Sequence, residues 1–278
     1  MSLLEETKSL LRSHRIKPKK TIGQNFLVDP RYFQKLICYA SLNNNDTVLE
    51  IGAGTGFLTN ILKEKCKTVL AVEFDKKLVN VLREQLEDAT NVRIIEGNIL
   101  KVSVPSFNKI VSVPPYQISS RLLVWLFSKG FDCAVLVFQK EFADRLVATP
   151  GSEDYGWLTV FTYYNAQVEL LDALSKSVFY PEPKVDSVIT RLIPKRQPLG
   201  EQVGDIAFRR LLQILFTHRN RKVRGAILPY LRGLRGTTKL DAVEVAERVP
   251  YSDKRVRELA PEDLGVLANA LSQQESVL

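Results

Sequence analysis

Histidine and cysteine are scarce in this chain, and each scarcity closes off a class of function. The only two histidines, His14 and His218, lie far apart and sit in no cluster with cysteines or carboxylates, so no metal site is expected. No Ser-His-Asp arrangement is indicated either. Cys38, Cys66 and Cys133 are odd in number, widely spaced and without a CxxC pair, which argues against a disulfide framework or a zinc site. Their apolar neighbours predict three small buried side chains. The longest apolar run, Cys133 to Phe138, is far too short to span a bilayer. Met1 to Arg15 mixes Glu, Lys and Arg with leucines and does not read as a secretory signal, so a cytoplasmic protein with no membrane partner is expected. No internal repeat or low-complexity tract is visible.

The composition that remains is globular: 45% of the 278 residues are hydrophobic and 25% charged, which excludes disorder as the main state. That length favours one large domain with a smaller companion. The formal charge of +8 suits a polyanionic partner. Its placement says more than its size. Basic residues gather at Arg12, Arg15, Lys17, Lys19 and Lys20, and again at Arg209, Arg210, Arg219, Arg221, Lys222 and Arg224. Without further context, a solvated face is about as good a reading of the second group as an RNA grip.

From residue 47 onward, short β-branched runs alternate with helix-like stretches. Strands are predicted at Thr47–Ile51, Thr68–Glu73, Val92–Ile95, Lys109–Val113, Cys133–Phe138 and Val185–Ile193. Helices are predicted at Phe57–Lys65 and Lys76–Glu87. Short apolar strands bounded by turn residues are those of a parallel sheet buried on both faces, so an α/β fold with a Rossmann-like sheet follows. The stretch Pro194-Lys-Arg-Gln-Pro-Leu-Gly200 reads as a linker. After it the pattern is all helical, at Ile206–Leu215, Lys222–Leu231, Leu240–Glu247 and Pro261–Leu271. The expected domains are 1–195, with a basic N-terminal segment, and a small all-helical domain at 200–278 that contacts the substrate.

The strand Val48-Leu-Glu-Ile51 runs into Gly52-Ala-Gly54-Thr-Gly56 and a helix. Glycines after the first strand let the backbone approach a bound nucleotide with no Cβ in the way. Glu73 ends the next strand about twenty residues on, where such folds hold a ribose. The spacing is GxGxG and not the GxGxxG of pyrophosphate binders, which suits S-adenosylmethionine, a cofactor without phosphate. Glu96-Gly-Asn98 follows the third strand, where an amide could meet the adenine edge. The bland reading, a tight turn with a coincidental Glu, explains none of this order.

Val113-Pro-Pro-Tyr116 follows the fourth strand, at the end of the sheet where open α/β folds place their chemistry. It resembles the motif of amino methyltransferases acting on nucleic-acid bases. There, an amide and a backbone carbonyl turn the lone pair of an adenine N6 towards the methyl, while an aromatic ring holds the extruded base.

More specifically, the chain resembles the small-subunit ribosomal RNA adenine dimethyltransferases from Lys17 to about Arg224. The resemblance is carried by Lys17-Pro-Lys-Lys-Thr-Ile-Gly-Gln-Asn-Phe-Leu-Val-Asp29, the glycine loop, Pro115-Tyr-Gln-Ile-Ser-Ser120 and Phe138-Gln-Lys-Glu141. Pro150-Gly-Ser-Glu-Asp-Tyr-Gly156, Phe179-Tyr-Pro-Glu-Pro-Lys-Val-Asp-Ser187 and Phe216-Thr-His-Arg-Asn-Arg-Lys222 complete it. It implies dimethylation of two adjacent adenines in the 3′-terminal hairpin of small-subunit rRNA on immature subunits. Position by position, it implies that Gln24, Asn25 and Leu27 approach the cofactor's methionine end. Gly52, Ala53 and Gly54 would line its loop, Glu73 would hold the ribose, and Phe74, Asn98 and Ile99 would frame the adenine. Val113, Pro114, Pro115 and Tyr116 would form the catalytic segment, with Val113 also touching cofactor and Phe179 sandwiching the target adenine against Tyr116. Lys17, Lys19, Lys20, Arg219, Arg221, Lys222 and Arg224 would grip RNA. A monomer acting on one RNA is the implied assembly.

Three positions depart from the family pattern. Asn98 stands where Asp is usual, a change worth about one hydrogen bond, or ~1 kcal/mol. Trp157 replaces a common Arg. Val113 replaces the catalytic Asn, and an isopropyl group accepts no hydrogen bond. Loss of one preorganised polar group at a reacting centre costs roughly 10²–10³ in rate. Ser112, next to it, should point to the opposite face of an extended strand. Two readings stay open: a working but slowed dimethylase, and an RNA-binding ribosome-assembly factor without catalysis. The related large-subunit adenine methylases of macrolide resistance fit less well, and the glycine spacing disfavours a nicotinamide oxidoreductase.

Overall fold

The apolar runs that follow residue 47 do lie side by side in one sheet, parallel for the first five and antiparallel for the last, so the sheet is mixed and not all parallel. The computed structural model describes residues 1–195, 205–234 and 238–275; the expected linker falls mostly on 196–204, outside the described residues. Nine strands are present among the described residues: β1 (Phe26–Leu27), β2 (Thr47–Ile51), β3 (Thr68–Glu73), β4 (Val92–Glu96), β5 (Lys109–Ser112), β6 (Cys133–Gln139), β7 (Ala166–Leu174), β8 (Phe179–Tyr180) and β9 (Ser187–Pro194). Seven form one sheet in the order β4-β3-β2-β5-β6-β9-β7. Pairing is parallel from β4 across to β6, and β9 returns antiparallel to β6.

That order has a switch point. From β2 the chain winds outward through β3 and β4, then returns to place β5 on the other side of β2. A crevice therefore opens at the carboxyl ends of β2 and β5, where doubly wound folds bind ligands. The Gly52 loop follows β2 and Val113 follows β5, so two motifs separated by some sixty residues become neighbours. Ser112 pins the pair: its buried hydroxyl donates to the Ile51 carbonyl at 2.6 Å and accepts the Ile51 N–H at 3.1 Å.

The chain forms two compact units: residues 1–143 with 169–194, and residues 144–168 with 195–278. The first holds α1 (Leu3–Ser13), α2 (Pro30–Ala40), α3 (Phe57–Leu62), α4 (Lys76–Gln85) and α5 (Ser119–Phe127). Its core lies between sheet and helices, where Leu36, Leu49, Leu62, Val69, Leu82, Val111 and Val135 are fully or almost fully buried. Cys66 and Cys133 belong to that core, but Cys38 is exposed near the end of α2, contrary to expectation. It lies on the side of the amphipathic α2 opposite Phe33, Leu36 and Ala40.

The boundary of the first unit falls within α6 (Lys140–Leu146) and β7. In the second unit, α7 (Trp157–Asn165) packs with α8 (Asp205–Thr217) and α12 (Pro261–Glu275). The domain boundary expected from sequence keeps residues 144–168 with the sheet, and the structure moves them. Their aromatic side chains explain the difference. Tyr155 is fully buried, edge-on to Phe216, and donates to the Leu259 carbonyl at 2.8 Å. Tyr164 packs edge-on to Phe208 and donates to the Pro261 carbonyl at 2.9 Å. The single helix expected at Lys222–Leu231 is two short ones, α9 (Val223–Ala226) and α10 (Leu228–Leu231). Pro229 has no N–H and its ring crowds the carbonyl one turn back, so the helix restarts with proline in its first turn. The remaining helix, α11 (Lys239–Arg248), starts from a Thr238 capping box.

Candidate active site

A cleft of about 270 Å³ opens at the switch point. Its floor is the glycine loop. Gly52 and Ala53 donate their backbone N–H groups to the Val72 carbonyl at 2.8 and 3.2 Å, which ties the loop to β3. Gly52, Gly54 and Gly56 all have left-handed φ values of +58° to +81°. A Cβ on Gly52 would sit 3.2 Å from the Pro115 ring, so glycine is what lets the acceptor segment lie against the loop.

Glu73 is the electrostatic centre of the cleft. Its buried carboxylate accepts three backbone N–H groups: Gly54 at 2.9 Å, Phe74 at 2.7 Å and Asp75 at 2.8 Å. Burial lifts its carboxyl above the ordinary range, and these three donors oppose that rise. Phe74 is exposed at the cleft wall, an apolar face available to an aromatic ring. Asn98 and the buried Ile99 also line the cleft. The Asn98 Oδ1 accepts the Leu100 N–H at 3.0 Å, so that oxygen already serves a local turn.

The Lys17–Asp29 segment forms another wall. Gln24 and Asn25 line the cleft, while Leu27 is buried beside it in a small side pocket. Asp75 anchors the segment by accepting from Lys19 Nζ at 2.7 Å and Gln24 Nε2 at 3.1 Å. Burial works against ionisation of Asp75, but these donors and the Lys77 N–H outweigh it and hold its carboxyl below the usual range. On the far side, Gln117 packs over Gly23 so closely that a Cβ there would lie 1.9 Å from Gln117 Oε1.

The acceptor segment meets this floor directly. Val113 lines both the cleft and the side pocket, and Pro115 and Gln117 line the cleft. Tyr116 is half-buried, with its hydroxyl 2.7 Å from Ser187 Oγ on β9; burial pushes that hydroxyl up to about 12. Phe179 is 2% exposed and packed in the core of the first unit, so it offers no open stacking face in this structure. The reason lies in β1 and β8, which pair Phe26 with Tyr180 and Leu27 with Phe179. The Ser112 hydroxyl is committed to Ile51, as its strand position implied, and does not stand in for the missing amide.

The basic residues divide by partner. Lys17 and Arg221 are exposed, with no ion pair or side-chain hydrogen bond among the described residues. Lys20 opens a single 3-10 turn, and its side chain lies outside the described part. Lys222 pairs with Asp253 at 2.8 Å, and Arg224 with Glu247 and Asp253 at 3.3 and 3.2 Å. Arg219 is a brace: its guanidinium donates to the Ser152 and Glu153 carbonyls at 2.7 and 2.8 Å. His218 is half-buried in the turn after α8 and not within a basic helix. Among the described residues, no group of His, Cys and carboxylates could hold a metal ion, and no helix is long and apolar enough to cross a membrane.

Two residues near the cleft escaped the sequence reading. Glu50 is fully buried and lines the side pocket with Asn25, Gly52 and Thr55. Burial pushes its carboxyl up to about 8, against a hydrogen bond of 2.6 Å from Thr59. A lone carboxylate in the apolar run before the glycines was the available signal. Arg121, on the first turn of α5, lines the cleft and carried no signal at all.

Together these features fit S-adenosylmethionine. Gly54 and Gly52 keep the floor free of side chains, Glu73 brings a buried carboxylate to the cleft, and Phe74 offers an apolar face.

Comparison with known proteins agrees with that chemistry. The model of the ribosomal RNA adenine dimethylase family matches residues 15–261. A probable ribosomal RNA small subunit methyltransferase A of Methanosarcina mazei is 38% identical over 275 residues, covering 97% of this chain and 98% of its own. The protein of the same description from Thermococcus kodakarensis is 41% identical over 258 residues, 92% of this chain and 91% of its own. Among solved structures, a dimethyladenosine transferase from Plasmodium falciparum matches with a TM-score of 0.79 at 30% identity, over 90% of this chain and 98% of that one. The 23S rRNA methyltransferase ErmE matches with a TM-score of 0.64 at 28% identity, over 89% and 100%. A family pattern that spans the glycine loop, the acceptor segment and most of the helical unit settles the matter: the chain belongs to the ribosomal RNA adenine dimethylases, and is an S-adenosylmethionine-dependent methyltransferase.

Proposed function

We propose that the chain dimethylates N6 of two adjacent adenines in the 3′-terminal hairpin of small-subunit rRNA, acting as a cytoplasmic monomer on immature subunits during ribosome biogenesis. The observation that carries this reading is the packing of Pro115 on Gly52, which brings acceptor segment and cofactor floor onto one wall. When bound, S-adenosylmethionine supplies an electrophilic methyl on a sulfonium.

The chain's own residues then bind, orient and exclude water. Gln24, Asn25 and Leu27 frame the methionine end, with the buried Glu50 carboxyl in the adjoining side pocket. Gly52, Ala53 and Gly54 admit the backbone to close range, and Glu73 takes the ribose. Phe74, Asn98 and Ile99 surround the adenine of the cofactor. At the acceptor, the lone pair of N6 is delocalised into its ring, and the Pro114 carbonyl accepts one N–H to turn it outward. Stacking of the extruded base falls to Tyr116, held by Ser187, with Phe179 supporting the site from the core. RNA is gripped first by Lys17 and Arg221, whose charges are uncompensated, while Lys19, Lys222 and Arg224 share theirs with carboxylates.

A second reading is favoured by one specific observation: Val113 accepts no hydrogen bond and Ser112 is spent on Ile51. On it, the chain binds the hairpin as an assembly factor without transferring methyl. Radiolabelled S-adenosylmethionine with immature small subunits separates the two. The expected result is label in the 3′-terminal hairpin, at a rate raised roughly 10²-fold by Val113→Asn. No label from the unchanged chain, with RNA binding intact and label restored by Val113→Asn, would establish the assembly factor instead.

A further inference from the structure

Among the described residues, the cleft is lined by two charged side chains, Glu73 and Arg121. They are in opposite situations. Glu73 is buried and accepts three N–H groups. Arg121 is exposed, and its side chain has neither an ion pair nor a hydrogen bond to any described residue. Its own helix does not favour it either: it sits in the first turn of α5, which has no acidic residue and no side-chain cap. The positive end of the helix dipole lies there, so an arginine at this place gains only from an anion brought from outside.

The cofactor is a poor source of that anion. Its sulfonium and ammonium make it cationic, and a bare guanidinium in the same cleft repels it unless the carboxylate lies alongside. The methionine end, with that carboxylate, belongs at Gln24, Asn25 and Gly52. Arg121 instead belongs to the helix that begins directly after the Val113–Tyr116 acceptor segment and the Gln117–Ile118 turn. A base presented to Tyr116 carries phosphodiesters on both sides, and the planar guanidinium fork matches two phosphate oxygens at once.

We propose that Arg121 binds a phosphodiester flanking the adenine presented to the cleft, a role that rests on the reading of RNA as acceptor. It fixes the register of the strand at the reacting base, while Lys17 and Arg221 supply charge elsewhere.

The test uses the full chain and a synthetic RNA hairpin with two adjacent loop adenines, titrated at several salt concentrations. S-adenosylhomocysteine binding is measured by calorimetry on the same proteins. Arg121→Ala is expected to weaken RNA binding about tenfold, as the loss of one charged hydrogen-bonded contact does. It should also reduce the steepness of the log-log salt dependence by about 0.7 to 0.9, the release of one phosphate contact. Arg121→Lys should keep the slope with intermediate affinity, and S-adenosylhomocysteine should bind all three proteins equally. If Arg121→Ala weakens S-adenosylhomocysteine and leaves the RNA slope alone, the guanidinium serves the cofactor carboxylate and the proposal is overturned. An Arg121→Ala chain that matches the unchanged one in both titrations overturns it too. Should the unchanged chain bind no RNA, the acceptor reading itself falls and takes this role with it.

Discussion

Gly54 donates its backbone N–H to Glu73 Oε2 at 2.9 Å, so the carboxylate that ends β3 and lines the cleft also holds the glycine loop in shape. Glu73 is thus a structural residue before any cofactor arrives. Glu73→Ala would leave the buried N–H groups of Gly54 and Asp75, and the part-buried one of Phe74, without their acceptor. Each buried orphan costs about 1–3 kcal/mol. We expect a loss of ~3 kcal/mol after relaxation, read as a lower Tm without ligand, together with loss of S-adenosylhomocysteine binding. An unchanged Tm would mean that the loop holds itself and that Glu73 acts on ligand alone.

Glu50 gives the protein a pH dependence of known sign. Its folded carboxyl, pushed up to about 8 by burial, lies above its ordinary value of 4.5. The stabilising contribution is therefore complete below about pH 4.5 and is lost as pH rises through about 8. Glu50→Gln removes that loss. The variant should melt higher than the unchanged chain at about pH 9 and close to it at about pH 5, before cofactor is added. Equal separation at both pH values would show that the carboxyl does not titrate in this range.

How far the sequence spoke is clearest at these residues. That the glycine loop, Glu73, Val113 and Pro115 meet at one cleft was legible because each lies within a few residues of a strand end, where local pattern fixes position. Glu50 was passed over because an apolar run is read for its period, and a buried carboxylate inside it carries no periodic signal. The helix α7 was missed for a different reason: Leu158 to Phe161 is apolar almost without interruption, and its Thr159 and Thr162 are buried as well. No polar face marks a period. Arg219 read as an RNA contact because charge is visible in a sequence and a backbone carbonyl 66 residues away is not. The short β1–β8 pair needs partners from both ends of the first unit, which no local window contains.

Asn98 offers a gain where most substitutions lose. Its Oδ1 accepts the Leu100 N–H, so the group left facing the cleft is a donor. The exocyclic amine of the cofactor's adenine needs an acceptor. Asn98→Asp retains the turn through one carboxylate oxygen and offers the second to that amine. One added hydrogen bond is worth ~1 kcal/mol, or about fivefold tighter S-adenosylhomocysteine in calorimetry. Weaker binding of the Asp variant would place the amide's N–H₂ against a ring nitrogen instead.

Gly23 and Gln117 should behave as one unit. Gly23 has φ of +72°, and a Cβ there would collide with the end of the Gln117 side chain at 1.9 Å. Gly23→Ala therefore carries two costs: the left-handed backbone, about 1–2 kcal/mol for a residue with a Cβ, and displacement of Gln117 from the cleft wall. In a Gln117→Ala background the second cost has already been incurred. S-adenosylhomocysteine affinity measured on the four proteins of this cycle should then show Gly23→Ala costing less in the Gln117→Ala background than in the chain that keeps Gln117. Penalties that simply multiply would mean that the Lys17–Asp29 segment keeps its place through Asp75 alone, and that Gln117 merely covers it.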